Sequence, residues 1–133
     1  MALKLRRKIR HPITLPVGGT EVARGTCVKI SSSVLAVTGS NEAFVGITDE
    51  IGVANRNCRV AGVGSIVLAL AHDNAITEGM WVVPAAAGRV DGIAATTTTI
   101  QYLVGIALMD ASAQDQLIPV LLLPGIAVGT QSV

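Results

Sequence analysis

Apolar positions along the chain gather in short runs, TCVKI, SVLAV, AFVGIT, SIVLALA, MWVVPA, QYLVGIAL and IPVLLL, separated by glycine, serine, asparagine or aspartate. Runs this short, rich in Val and Ile and recurring at about 8 to 12 residues, predict the strands of a sandwich or barrel rather than a parallel sheet with helical crossovers. ITDEIGVANRNC and MDASAQDQ each leave room for a short helix, although neither sustains a 3.6-residue apolar period. The expected fold class is all-β, a compact β-barrel or β-sandwich-like body.

The pattern repeats. Val22, Gly25 and Val28 match Ile76, Gly79 and Val82 at a constant spacing, and the phrase Val-Gly-Ile recurs at 45 to 47 and 104 to 106. The spacing is five residues longer at the second match, so the second copy carries an insertion, most simply around AAAGRVDG or TTTT. Two related β units follow, 22–71 and 76–124. Gly25 and Gly79 suit a turn or bulge that needs positive φ. Gly46 and Gly105 suit strand positions where another backbone approaches closely.

Ahead of the first unit the apolar residues Leu3, Leu5, Ile9, Ile13, Leu15 and Val17 all occupy odd positions, whereas positions 4, 6, 8 and 10 are Lys4, Arg6, Lys8 and Arg10. A period of two predicts an extended strand with one apolar and one polar face. A helical i, i+4 stripe through Leu5, Ile9 and Ile13 is opposed by Pro12 and Pro16. Residues 1–19 thus read as a basic extended arm, 20–124 as the body and 125–133 as a tail.

Charge sharpens this division. The net charge is +1, yet residues 1–11 hold Lys4, Arg6, Arg7, Lys8 and Arg10 and no acid, leaving the remainder mildly acidic. Charged residues make up only 14% of the 133, against roughly 25% in ordinary soluble domains. That scarcity predicts apolar surface covered by other subunits. Mean hydropathy is +0.59, but the least polar stretches, VAGVGSIVLALA and QLIPVLLLPGIAV, fall short of the roughly 20 apolar residues a spanning helix needs, and the second contains Pro119 and Pro124. No apolar stretch and cleavage site follow the basic residues, so a secretory signal is not expected. The chain reads as soluble.

Catalytic chemistry finds little support. His72 and Asp73 could pair as base and orienter, but neighbours on an extended chain point apart, and no Gly-x-Ser-x-Gly context appears. Cys27 and Cys58 lack a CxxC or a histidine cluster, which disfavours zinc within one subunit; buried thiols are expected, with a disulfide left open. Asp49 and Glu50 read as a solvated loop pair. GVGS lacks the Gly-Lys-Ser/Thr of a phosphate loop. No catalytic residue, cofactor or metal is expected. The aromatic inventory of Phe44, Trp81 and Tyr102, none of it in the arm, argues against nucleic acid.

The order "V/I..G..V", a variable strand, GRV, a Thr-rich stretch, YLVGIAL and finally PVLL resembles the capsid decoration, or cement, proteins of tailed bacteriophages, over about residues 17–124. The resemblance implies a virion protein, commonly a homotrimer, that sits on the outer surface of an icosahedral head, after synthesis in the host cytoplasm, and stabilises contacts between major capsid protein subunits. Neighbouring cement subunits are further possible partners. Within this frame the arm, through Leu3, Lys4, Leu5, Arg6, Arg7, Lys8, Ile9, Arg10, Ile13 and Leu15, is expected to add to a neighbouring protein's sheet edge. Ordering such an arm costs about 1–2 kcal/mol per residue, which exposed salt bridges of about 0–1 kcal/mol cannot offset alone. Two alternatives remain beside this reading. One is a trimeric β-rich hydrolase with an intersubunit active site; the other is a coat protein that binds nucleic acid through the basic arm.

Overall fold

The computed structural model describes residues 8–73, 75–93 and 100–127. They form ten strands: β1 (Ile13–Pro16), β2 (Cys27–Ser31), β3 (Val34–Val37), β4 (Gly46–Thr48), β5 (Asn57–Ala61), β6 (Ile66–Leu70), β7 (Trp81–Pro84), β8 (Val90–Gly92), β9 (Gln101–Ala107) and β10 (Leu117–Ala127). A single 3₁₀ turn spans Ala86–Gly88. The two stretches with room for a helix form turns instead, with left-handed backbone at Asn55 (φ 63°) and Asp115 (φ 64°). Both positions suit Asn and Asp, whose short polar side chains tolerate that region.

The strands make two five-stranded antiparallel sheets, ordered β1-β5-β4-β2-β3 and β6-β10-β9-β7-β8. Each order is the other with every strand advanced by five. Each sheet also curls until its outer strands meet, through parallel bridges Val17↔Leu35 in the first and Ala71↔Val90 in the second. The body is therefore two related small barrels in tandem. Backbone hydrogen bonds recur at matching places: Gly25 N donates to Thr48 O (3.0 Å) and Gly79 N to Ala107 O (2.8 Å), while Thr38 N donates to Cys27 O (3.1 Å) and Ile93 N to Trp81 O (3.0 Å).

This correspondence locates the insertion. Matching Val28 to Val82 and Leu35 to Val90 places one extra residue in the turn around Ala86–Gly88. Matching Thr38 to Ile93 and Gly46 to Gly105 places four between Ile93 and Gly105, a span whose residues 94–99 lie outside the described ones. Sheet membership also divides the chain between Ala61 and Ile66, earlier than the sequence repeat does. SIVLALA, grouped by sequence with the first unit, supplies β6 and pairs with β10 in the second sheet.

Burial follows strand alternation. Val17, Val22, Val28, Leu35, Cys58 and Val60, with Leu15 against them, fill the first barrel. Their counterparts Ala71, Ile76, Val82, Val90, Ile118 and Val120 belong to a larger cluster that also takes Cys27, Ile47 and Ala61 from the first sheet. Adjacent residues on β2 thus serve different cores, Val28 inside its own barrel and Cys27 between the barrels, because successive side chains point to opposite faces. At about 1.5–3 kcal/mol for each fully buried aliphatic side chain, the shared cluster couples the two barrels strongly.

The described part of the arm is built into this body, a correction to its placement outside it. Lys8 and Ile66 exchange backbone hydrogen bonds of 2.9 and 2.7 Å. Arg10 N donates to Ser65 Oγ (2.7 Å), whose hydroxyl donates back to Arg10 O (3.0 Å). At His11 the backbone turns left-handed (φ 46°), and beyond Pro12 the chain becomes β1, paired with β5 from Ile13↔Val60 to Pro16↔Asn57. The extended, alternating conformation is present, but the sheet edge it occupies is the chain's own.

Candidate functional site

The segment Lys8–Pro16 straps over the connection Gly62–Ser65 between the two barrels. Glycine at 62 makes this possible: a Cβ there would lie 2.3 Å from His11 O and 2.9 Å from Arg10 O. Ser65 is fully buried beneath the strap, and the Arg10 stem lies over Gly64, with Cδ 3.5 Å from where a Cβ would stand. Ile9 is partly buried against the shared core. On the outside are Lys8, Arg10 and His11, and among apolar residues Ile13 (44% exposed) and Val63 (54%). Strap and connection together present a mixed cationic and apolar surface over the junction of the barrels.

Of the residues expected in the arm, Lys8, Ile9, Arg10, Ile13 and Leu15 lie on this strap or its continuation, with Leu15 turned partly into the first barrel. Leu3, Lys4, Leu5, Arg6 and Arg7 lie outside the described residues. The glycines take two roles. Gly25 (φ 82°) and Gly79 (φ 86°) are left-handed turn positions. Gly46 and Gly105 admit close backbone, since a Cβ would fall 2.5 Å from Ala61 O at the first and 2.0 Å from Leu121 O at the second.

Several ionisable groups among the described residues pair in structural contacts. Arg59 bonds Asp49, whose side chain is fully buried; Asp49 is therefore no solvated loop residue, although its neighbour Glu50 is exposed. Lys29 donates to Glu42, which also accepts from Gly39 N (2.7 Å). These bonds, Lys29 first, hold the Glu42 carboxyl below its ordinary range. Arg89 grips Asp115 through two bonds of 2.6 and 3.2 Å and lowers that carboxyl in the same way. Thr48 Oγ1 accepts from Thr26 N (3.0 Å) and donates to Ala23 O (2.9 Å), fixing the turn before β2.

Cys27 and Cys58 are buried and free. Burial pushes the Cys27 thiol up to about 12, against a smaller opposing effect of the neighbouring Thr38 hydroxyl, so it stays protonated and poorly nucleophilic at neutral pH. Native protein is expected to leave Cys27 unmodified by iodoacetamide at pH 8, with labelling only after unfolding in guanidinium. Mass spectrometry of the digested chain reads the difference, and rapid native labelling at Cys27 contradicts this burial.

The pairing of His72 with Asp73 comes out differently from the sequence expectation. The chain bends after β6 rather than continuing extended, and donor atoms of His72, Asp73 and Asp91 lie within 4.8 Å of one another. Asp91 was not singled out from sequence; its signal was GRVDG, at the place where the repeat brings a strand edge back to the end of β6. Among the described residues no helix is long and apolar enough to cross a membrane.

Two related closed barrels in tandem, joined through a shared apolar core, make up the described fold. A family model described as phage cement protein matches residues 8–122, both barrels and the strap, and the chain belongs to that family. Its place is the phage capsid, and its role there is structural. No curated protein is significantly similar to the chain.

Proposed function

We propose that this chain binds the outer surface of an expanded icosahedral phage head as a trimer and reinforces contacts between major capsid protein subunits, without catalytic activity of its own. Family membership over 8–122 is the observation that carries this reading. Surface character supports it: Ile51 (54% exposed) and Val53 (47%) flank Gly52 on one loop, and Val63 and Ile13 project beside the strap. Such residues at a subunit or shell contact account for a composition low in charge and high in Val and Ile.

The N-terminal segment is assigned the shell contact. Residues 8–16 are held by the chain's own backbone, and the contact is assigned to the preceding stretch with Leu3, Lys4, Leu5, Arg6 and Arg7, which carries three of the five basic residues of positions 1–11. Its basic residues select an acidic shell surface and accelerate encounter, while burial and main-chain pairing supply most of the affinity.

Cosedimentation of purified protein with expanded, undecorated heads, paired with a solution mass measurement, tests this reading. Saturable binding with fewer copies than the shell protein, and a mass of one or three subunits, is expected. Absence of binding to heads of the cognate phage would overturn it.

A further inference from the structure

The seam that closes the second barrel carries side chains that its counterpart lacks. His72 and Asp73 directly follow Ala71 at the bridge to Val90, and His72 N donates to Val90 O (2.8 Å). Asp91 is the next residue along β8, so one backbone contact sets all three side chains at the same place. A donor atom from each lies within 4.8 Å of the others, and all three residues are half-buried. His72 Nδ1 is sealed from solvent and has no hydrogen-bond partner among the described residues.

The carboxylates are partly pre-set. Asp73 Oδ1 accepts from Ala75 N and Asp91 Oδ1 from Gly92 N, each at 2.8 Å. Two carboxylates this close to each other and to an imidazole are costly unless a proton or cation lies between them.

The first barrel shows that the fold itself does not need these groups. Its seam is Val17↔Leu35, which makes Gly18, Gly19 and Ala36 the counterparts of His72, Asp73 and Asp91. Together with Thr20, Glu21, Val22, Leu35 and Val37 they line a cavity of about 270 Å³. At the three matched positions the first seam has two glycines and an alanine, where the second brings together one imidazole and two carboxylates.

We infer that His72, Asp73 and Asp91 bind a divalent transition cation, with Zn²⁺ the representative ion. A neutral imidazole with two carboxylates matches Zn²⁺, Ni²⁺ or Co²⁺ better than Mg²⁺ or Ca²⁺, which favour all-oxygen shells. Metal–ligand distances near 2.0–2.2 Å need the donors drawn somewhat closer than their 4.8 Å limit, a movement within reach of side-chain rotation. The backbone bonds to Asp73 and Asp91 orient the carboxylates from outside the ligand shell. Bound there, the cation ties the end of β6 to β8 across the seam and leaves a coordination position for water.

Calorimetric titration of Zn²⁺ into the EDTA-stripped full chain, with thermal unfolding in parallel, tests the site. One Zn²⁺ per chain is expected, with Tm raised by about 5–10 °C when free Zn²⁺ exceeds Kd a hundredfold. Asp91→Asn, which keeps the side-chain shape, and His72→Ala are each expected to weaken binding at least tenfold while remaining folded in EDTA; His11→Ala, on the exposed strap, is expected to bind as wild type. The absence of saturable Zn²⁺ uptake by the wild-type chain overturns the site. So does uptake undiminished in both seam variants, or uptake lost equally in His11→Ala.

Discussion

Gly105→Ala is expected to destabilise the chain by about 3 kcal/mol, the upper part of the range for overpacking a well-filled interior. An added Cβ would stand 2.0 Å from Leu121 O, 2.9 Å from Leu121 C and 3.0 Å from Leu123 N. All three are backbone atoms, so the strain cannot be relieved by turning a side chain. Position 105 faces Leu122 across the β9–β10 pair, next to the irregularity between Leu122 and Gly125. Relief therefore requires β9 and β10 to separate along the longest pairing among the described residues. Against a total stability of about 5–15 kcal/mol, such a loss is large. Gly46→Ala in the first barrel is expected to behave similarly, because its Cβ would meet Ala61 O at 2.5 Å. Gly125→Ala supplies the contrast: among the described residues a Cβ there would meet only a Leu103 methyl, at 3.8 Å, and a change within about 0.5 kcal/mol is expected. Urea unfolding midpoints rank the three. A Gly105→Ala midpoint equal to that of Gly125→Ala would mean the barrel is not packed as described.

Two truncations should separate attachment from folding. Removing residues 2–7 leaves the strap from Lys8 onward and both barrels, so a native circular dichroism spectrum and a Tm within a few degrees of the full chain are expected, together with weakened head binding. Removing 2–16 also deletes β1. Four paired positions on β5 then lose their partner, Leu15 leaves the cluster that contains Cys58 and Val60, and Ser65 loses both its bonds to Arg10 and the strap that covers it. Loss of cooperative unfolding, or a drop in Tm of more than about 15 °C, is expected for the longer deletion. Equal stability of the two truncated chains would contradict the assignment of β1 to the first barrel.

The strap also shows what the sequence could and could not convey. Alternation through Ile13, Leu15 and Val17 reveals an extended chain with a buried face, but a period of two says nothing about whose sheet provides the neighbour. The repeat was legible because paired turn glycines and Val-Gly-Ile phrases occupy places where backbone geometry restricts side-chain choice. Its boundary was less so. SIVLALA and LIPVLLLPG look alike as apolar runs, yet β10 corresponds to β5, NCRVA, whose outward Arg59 and exposed Asn57 break the apolar run. SIVLALA corresponds to β1 instead. Asp49 was misread for a related reason: its partner Arg59 lies across the β4–β5 turn, and sequence adjacency to Glu50 hid it. The donor cluster at the second seam needed the Ala71↔Val90 bridge, a contact between segments that carry no local signal of meeting.

The central claim is that this chain reinforces a phage shell, and thermal disassembly of expanded heads with and without saturating protein measures that reinforcement directly. The account predicts that decorated heads release their DNA or shell subunits at a higher temperature than bare ones, with the gain reduced for protein lacking residues 2–7. Heads that bind the protein saturably and yet come apart at the same temperature as bare heads would contradict it.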